Sequence, residues 1–554
     1  MAKAKPRSAP HAVAPLLPAS RADRWTALVL LLGGFLLYHR IEVFSGLEMQ
    51  IGGGADPRLI HTVCEHWLQV FGGHADVASP HIFWPQQGTL GYTDAMFAHG
   101  ALYALARCLG VEMFQAYNFM LLSIDALNLA ATFALLRVGL RVRMPAAAFG
   151  AVVFALNSAK LSQIGHAQLQ ALFPLPIALL ALILLARRPR LSWPTFALGA
   201  VFGGCIALEI WSSYYNGWFF CFWLLIAGIL ALAQRETRGT ALATLRLHWP
   251  ALLVALAVLD VALLPFARIY QPVAEQLGMR DYDEVRAMLP QPLSYFSMGE
   301  ASLVWGWLPK VFPQFNALPT PWEHRMGIGL VPVLAFVAAL AVTSRAVLRR
   351  NASVADRWLL LLIASALVFL LLPIRLGNDS LWRWFFDNFP GAGALRSVTR
   401  IMLVAALPLA LIAAMLADRL LQRAQTSVWR TAWVSALAAL AVFGIVEQTR
   451  KLPGHIPAEE RARIAEIAGQ ITSRPCVAFV VKTTSTGPES EIDLQTMAML
   501  AAMRTGVPTL NGYSGKYPYG WDLEKMRAPG YPDRIREWLM RNHESARICV
   551  ATVK

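Results

Sequence analysis

Two strings in the first fifth of the chain, EMQIGGGADPRLIHTVCEHW and GYTDAMFAHG, hold many of the side chains that could move a proton. Between residues 48 and 100 the carboxylates of Glu48, Asp56, Glu65, Asp76 and Asp94 lie beside the imidazoles of His61, His66, His74, His81 and His99. The surrounding sequence is mostly compatible with a bilayer, and ionisable groups at the mouth of a membrane protein are expensive to hold unless they work. Asp56 is the acid best placed to be a general base, a role that needs direct reach to an acceptor hydroxyl. Three glycines precede it and let the backbone leave the first apolar segment in a turn that other residues resist. Pro57 follows and suits a first helical position. The same placement also fits Asp56 as a helix N-cap, its carboxylate spent on backbone N–H groups. Asp94, five residues before His99, is the second acid, either capping a second short helix or binding an acceptor.

Other groups could support such chemistry. HTVCEH sets His61 and Glu65 four residues apart with His66 adjoining, which offers a place for a divalent cation such as magnesium or manganese. The spacing is not a zinc motif, and the alternative is that these residues coat the polar face of a helix lying in the membrane interface. Glu209, in LEIWSSYYNGW, is costly unless it faces a cavity or a cation. It either lines a site with Tyr214 and Tyr215 or forms an interhelical salt bridge. Cations suited to a phosphate are Lys160 and His166 in NSAKLSQIGHAQ, Arg280 and Arg286 in GMRDYDEVR, and Arg396 and Arg400 in LRSVTR. Arg grips phosphate in a bidentate fork and Lys acts as a point charge. Arg396 and Arg400, four apart at a helix start, project to one face. Singly, each could instead serve a salt bridge or a lipid headgroup. Residues 511–521, NGYSGKYPYGW, read as a sugar-binding surface or as an aromatic loop at the interface.

Positioning these groups falls to a membrane scaffold. The chain has 554 residues, 56% hydrophobic and only 15% charged, against about 25% charged in soluble domains. Apolar runs recur at about 25–44, 116–137, 145–158, 168–187, 195–211, 217–233, 249–267, 327–344, 357–373, 399–417 and 431–447, so about eleven transmembrane helices are expected. The net charge of +15 sits in short loops between these runs, as cytoplasmic loops do, which excludes nucleic acid as a partner. The basic start gives way to the first run with no small-residue cleavage site after it, which favours a retained helix over a signal peptide. The basic loops share the side of the N-terminus, so residues 1–24 are cytoplasmic and 25–448 form the transmembrane domain. The outer side collects loops 45–115, 268–325 and 374–398 and the tail 449–554.

Loop 45–115 carries two short amphipathic helices, near 57–71 and 95–109, that lie in the interface. The tail changes composition: helices at 458–471, 491–503 and 532–542 alternate with strands at 477–481 and 548–553, a small α/β unit with parallel pairing. Of six cysteines, Cys205 and Cys221 fall within spans. Cys476 and Cys549 in the tail, and Cys64 and Cys108 in the first loop, face a compartment that permits disulfides.

The strings GADPRLIHTVCEHW, WPQQGTLGYTDAMFAHG, AYN, KLSQIGHAQLQALFPLPIALL, GMRDYDEVR, LRSVTR and NGYSGKYP occur in the order, and among the spans, that resemble bacterial GT-C-like membrane glycosyltransferases. The resemblance covers most of the chain. It implies a polytopic α-helical GT-C-like fold with a periplasmic C-terminal α/β domain, in the bacterial inner membrane. It implies a polyprenyl-phosphate sugar as donor, an envelope glycan, lipid or protein as acceptor, and a first-loop acid, here Asp56, as base of an inverting transfer. A divalent cation is used by some such enzymes. Two rival readings remain at this level: a lipid or glycan transporter, and a non-catalytic scaffold of envelope assembly. No Walker loop, nucleophile elbow or cytoplasmic catalytic domain occurs in the sequence.

Overall fold

A computed structural model describes residues 18–451, 453–483, 490–545 and 547–553; most of the basic start lies outside them. Nine helices among the described residues are long and apolar enough to cross a membrane, from Met113–Gly139 to Val398–Gln425. The first and last expected spans are also helical, as Arg21–Tyr38 and the shorter Arg430–Val446. The chain is a multi-pass membrane protein built of helices, with a small α/β unit at its end.

Burial sorts the helices. Ile401–Gln425 is buried along most of its length and stands as the central post. Arg235–Leu277 runs 43 residues with Leu253, Leu256, Val261 and Leu264 exposed, as a lipid-facing helix must. It also corrects the expected loop 268–325, whose first ten residues continue this helix. Gly199 and Gly203 let Trp193–Ser212 touch it: a Cβ on either glycine would lie 2.1 and 2.0 Å from the carbonyl oxygens of Ala251 and Ala255. Small residues at such crossings allow backbones to approach in lipid.

The expected span 145–158 runs as Met144–Ser162, after which the chain leaves helical geometry before Pro174–Ala186. Buried backbone that leaves helical geometry needs protein partners for its polar groups, and here it has them. Asn128 donates to Gln170 O at 2.9 Å and accepts from Leu172 N at 3.0 Å. The ring of His99 bonds Ala167 O at 2.9 Å. This tethered segment carries His166.

The tail has the expected elements: helices Ala458–Thr472, Glu491–Thr505 and Tyr531–Arg541, with strands Phe479–Thr483 and Cys549–Val553 paired in parallel. Cys476 and Cys549 form a disulfide, whereas Cys64 is buried and free and Cys108 exposed and free. Cys64 instead packs against Met120 Sδ at 3.7 Å.

The tail and the first outer loop share one hydrophobic core, in which Leu59, Val63, Trp67 and Phe83 join Ile467, Phe479, Leu510 and Trp538. Polar ties reinforce it. Arg58 reaches Thr496 at 2.8 Å and Glu460 at 2.8 Å, and also pairs with Asp493. Gln50 and Ile51 pair antiparallel with His455 and Gly454. A tail docked this way can present its own loops to whatever the first loop holds.

Candidate active site

Asp56 sits in the first turn of Ala55–Phe71, with Gly54 in the N-cap position and no side-chain cap. Gly52 and Gly54 have φ of +81° and +116°, backbone that glycine adopts without strain. A helix start needs no carboxylate cap when the turn before it is set this way, so the N-cap reading of Asp56 is corrected. Its side chain keeps 38% of its surface and turns to two partners. Oδ1 accepts the Tyr513 hydroxyl at 2.8 Å, and Oδ2 lies 3.3 Å from His166 Nε2.

Burial first, and then the Arg400 charge, drive His166 down to about 4, against the pull of Glu323 and Asp56. Near neutrality it is an uncharged imidazole, so its approach to Asp56 leaves the charge of the acid in place. The cations around it divide into two kinds. Arg400 is 5% exposed and locked to Glu323, NH2 to Oε1 at 2.9 Å and Nε to Oε2 at 3.3 Å, with its guanidinium 5.0 Å from the centre of the Tyr215 ring. Burial pushes the Glu323 carboxyl up, but Arg400 overrides it and holds it at about 2. Arg396 is looser, 35% exposed and 3.5 Å from Glu284. It lies close enough to oppose a proton on His166. Arg280 approaches the same Glu284 at 3.8 Å and donates to Gly515 O at 3.1 Å.

Asp94 lies behind this group. It accepts from Tyr214 N at 3.3 Å, and burial raises its pKa against hydrogen bonds from Tyr214 and Gln168 and the charge of Arg400. Its contact is with the start of Tyr214–Ala233, while the helix Phe97–Cys108 begins after Met96, so the capping expectation moves to a different helix. Tyr215 accepts the N–H of Arg396 at 2.9 Å and of Ser397 at 3.3 Å, holding that turn. Tyr214 donates to Gly391 O at 3.2 Å.

Asp56, His166, Asp94, Arg280, Arg396, Arg400 and Tyr215 therefore assemble from segments far apart in sequence. Several expected residues do not join them, and Arg286 pairs instead with Asp283 at 3.3 Å. Lys160 is fully buried and its ammonium is committed to Asp125. Glu209 is fully buried beside Asn216, outside hydrogen-bond geometry, and makes no salt bridge. His61 and Glu65 share the hydroxyl of Tyr103, at 3.0 Å for His61, and Arg107 lies 3.2 Å from Glu65. Burial first, then Arg107, force His61 down to about 3.

The donor set does not fit a divalent cation there. Both side chains are spent on one hydroxyl beside a guanidinium, and no three His, Cys, Asp or Glu groups converge among the described residues. Arg396 also departs from expectation, since it precedes the 3₁₀ turn Val398–Arg400 and shares no helical face with Arg400. Sequence reading missed Glu323, a lone acid in PWEHR whose partner is 77 residues away. It singled out 511–521 without picking Tyr513, and a lone Tyr in an aromatic loop gives no signal.

No family model matches the chain, and no curated protein sequence matches it. Several solved structures align with most of the chain. The Archaeoglobus fulgidus oligosaccharyltransferase, crystallised with zinc and sulfate, is 15% identical over 88% of this chain and 62% of its own, TM-score 0.49. The mycobacterial arabinofuranosyltransferase AftD is 17% identical over 85% of this chain and 30% of its own, TM-score 0.48. ArnT from Cupriavidus metallidurans, bound to undecaprenyl phosphate, is 13% identical over 88% of this chain and 86% of its own, TM-score 0.40. The chain spans less than two thirds of the length of the first two.

Proposed function

We propose that the chain is a GT-C-type glycosyltransferase that moves a sugar from a polyprenyl-phosphate donor to a hydroxyl acceptor on the outer, periplasmic face of the bacterial inner membrane. The observation that carries the reading is the partly exposed Asp56 carboxylate, which accepts from Tyr513 and lies 3.3 Å from His166, whose ring in turn feels the charges of Arg396 and Arg400. A base needs access and a fixed orientation, and both are met.

Asp56 takes the proton of the acceptor hydroxyl as its oxygen attacks the anomeric carbon from the face opposite the phosphate. The bond from that carbon to the phosphate oxygen breaks, its electron pair stays on the phosphate, and configuration inverts. The products are the glycoside and the polyprenyl phosphate. Arg396 and Arg280, on the open side, stabilise the charge that grows on the leaving phosphate. Arg400, neutralised by Glu323, contributes mainly by shaping the wall and keeping His166 uncharged. Asp94 holds the start of Tyr214–Ala233, whose Tyr215 fixes the Arg396 turn.

The purified protein in vesicles, supplied with radiolabelled lipid-linked sugars, tests this. The wild type is expected to transfer label and Asp56→Asn to lose it while remaining folded. Wild-type transfer by Asp56→Asn would end the assignment. Movement of intact lipid across the bilayer without transfer would favour the transporter.

A further inference from the structure

Two arginines meet around one carboxylate, Arg280 from four residues before it and Arg396 from another loop. Glu284, in the short helix Tyr282–Ala287, lies with Oε1 3.5 Å from Arg396 and Oε2 3.8 Å from Arg280. Lys516 comes from the tail, bonds Gly278 O at 2.8 Å, and stands close enough to both Arg280 and Glu284 to be perturbed by them. Burial and the Arg280 charge push its ammonium down, a sign that positive charge is crowded here.

Two guanidiniums thus share one acid, with a third cation beside them. Both ion pairs are long and partly exposed: Glu284 keeps 38% of its side-chain surface, Arg396 35% and Arg280 22%. That is the opposite of the tight, buried Arg400–Glu323 pair beside them. The Arg280 guanidinium is also held by Gly515 O at 3.1 Å, and the backbones of both arginines are tied down, Arg280 N–H to Gly393 O at 3.2 Å and Arg396 N–H to the Tyr215 hydroxyl at 2.9 Å. The segments that carry the cations are thus held in place independently of the acid they share.

We infer that Glu284 is a built-in placeholder: its carboxylate occupies the seat between Arg280 and Arg396 that a phosphate group takes when one binds. A phosphate offers more oxygens and more charge to two guanidiniums than one carboxylate does, so it displaces Glu284 toward solvent. The device keeps the empty seat from trapping stray anions and lowers the hold on a phosphate once its sugar has gone. It rests on the proposed transfer for its purpose but not for its existence, since seat and competitor are defined by these residues alone.

Binding to the purified full chain in nanodiscs separates the cases, with two probes, inorganic phosphate and undecaprenyl phosphate. Glu284→Gln removes the competing charge and is expected to tighten binding about fivefold, the range for losing partly exposed ion pairs. Glu284→Ala should do the same, and Arg280→Gln with Arg396→Gln should abolish the gain. Tightening for undecaprenyl phosphate supports a seat for a lipid-borne phosphate, and tightening for inorganic phosphate alone supports one for the free ion. Equal affinity in wild type and both Glu284 variants, or no binding of either probe, overturns the inference. Transfer is not read in this assay, so loss of the enzyme reading by an active Asp56→Asn would leave the result standing.

Discussion

The protein contains two clusters made of the same parts. At the candidate site an aspartate, Asp56, meets a histidine at 3.3 Å and lies among arginines. Within the membrane another, Asp125, meets His39 at 3.0 Å and pairs with Lys160, and Asn128 donates to it at 2.9 Å. The difference is access. Asp56 keeps 38% of its side-chain surface and Asp125 only 5%, with Lys160 wholly enclosed. Asp125 has its oxygens spent on fixed partners, so it can bind nothing further. Asp56 has one hydroxyl and one neutral ring, and an open flank. Composition does not separate a working acid from a structural one; slack does.

The largest expected effect tests that contrast. Asp125→Asn leaves the Lys160 ammonium buried without its counter-charge, and breaking such a pair costs about 3–5 kcal/mol. Its melting temperature in detergent should collapse or the protein fail to accumulate. Asp56→Asn should stay within about 0.5 kcal/mol of wild type and lose transfer by a factor on the order of 10²–10⁴. If both variants melt alike, Asp56 is structural too and the contrast is void.

A middle case sharpens it. Glu323→Gln leaves Arg400 buried with its charge uncompensated, and a hydrogen bond to a charged group contributes about 1.5–3 kcal/mol. We expect a destabilisation of that size together with a partial loss of transfer, because Arg400 forms the wall beside His166 and Asp56. Thermal unfolding and turnover measured on one preparation would show both, whereas Asp125→Asn should show the first alone in any protein that survives.

Much of this arrangement was legible in the sequence. Helices coincide with the apolar runs because a bilayer leaves the backbone few other ways to satisfy itself. Asp56 stood out because triple glycine and Pro57 flag a turn into a helix, and the turn is there. What could not be read was pairing across distance. Lys160 looks the same in sequence whether it faces a phosphate or Asp125, since only packing brings position 125 to it. Glu209 and the His61–Glu65 pair were singled out for being costly, and cost alone does not say which cavity, if any, they face. The parallel strands were expected from alternation in the tail, whereas the Cys476–Cys549 bond beside them was left open, because spacing does not give the distance between two thiols. The shared core of tail and first loop was not expected, because no local pattern records what a surface packs against.

Acid should act on the outer loop before it acts on the membrane helices. Burial holds His61 at about 3 and His66 and His99 at about 4, and burial with Arg400 holds His166 at about 4. Each is lowered from about 6.5, so the unfolded chain takes up protons that the folded chain refuses. Their contribution is fully present above about 6.5 and is lost as pH falls from there toward 4. Protease protection of the first loop and tail, followed across that window, should decline with more than one proton taken up per unfolding event. Flat protection from pH 7 to 4 would mean these rings are already charged in the fold, and His166 could then not be the neutral partner of Asp56.

The smallest effect bears on the open cluster alone. Tyr513→Phe deletes the 2.8 Å hydrogen bond to Asp56 Oδ1 and leaves the ring in place. The loop should keep its position, because Ser514 still bonds Tyr92 O at 2.9 Å and Arg280 still bonds Gly515 O at 3.1 Å. One hydrogen bond contributes about 1 kcal/mol, so transfer should slow by about fivefold. The loss should fall on kcat with KM nearly unchanged, since the hydroxyl orients the acid and is not proposed to hold the donor. A rise in KM at constant kcat would instead make Tyr513 a substrate contact. In that case the slack at Asp56 would be set by His166 alone, and the two clusters would differ by exposure and not by how their acids are held.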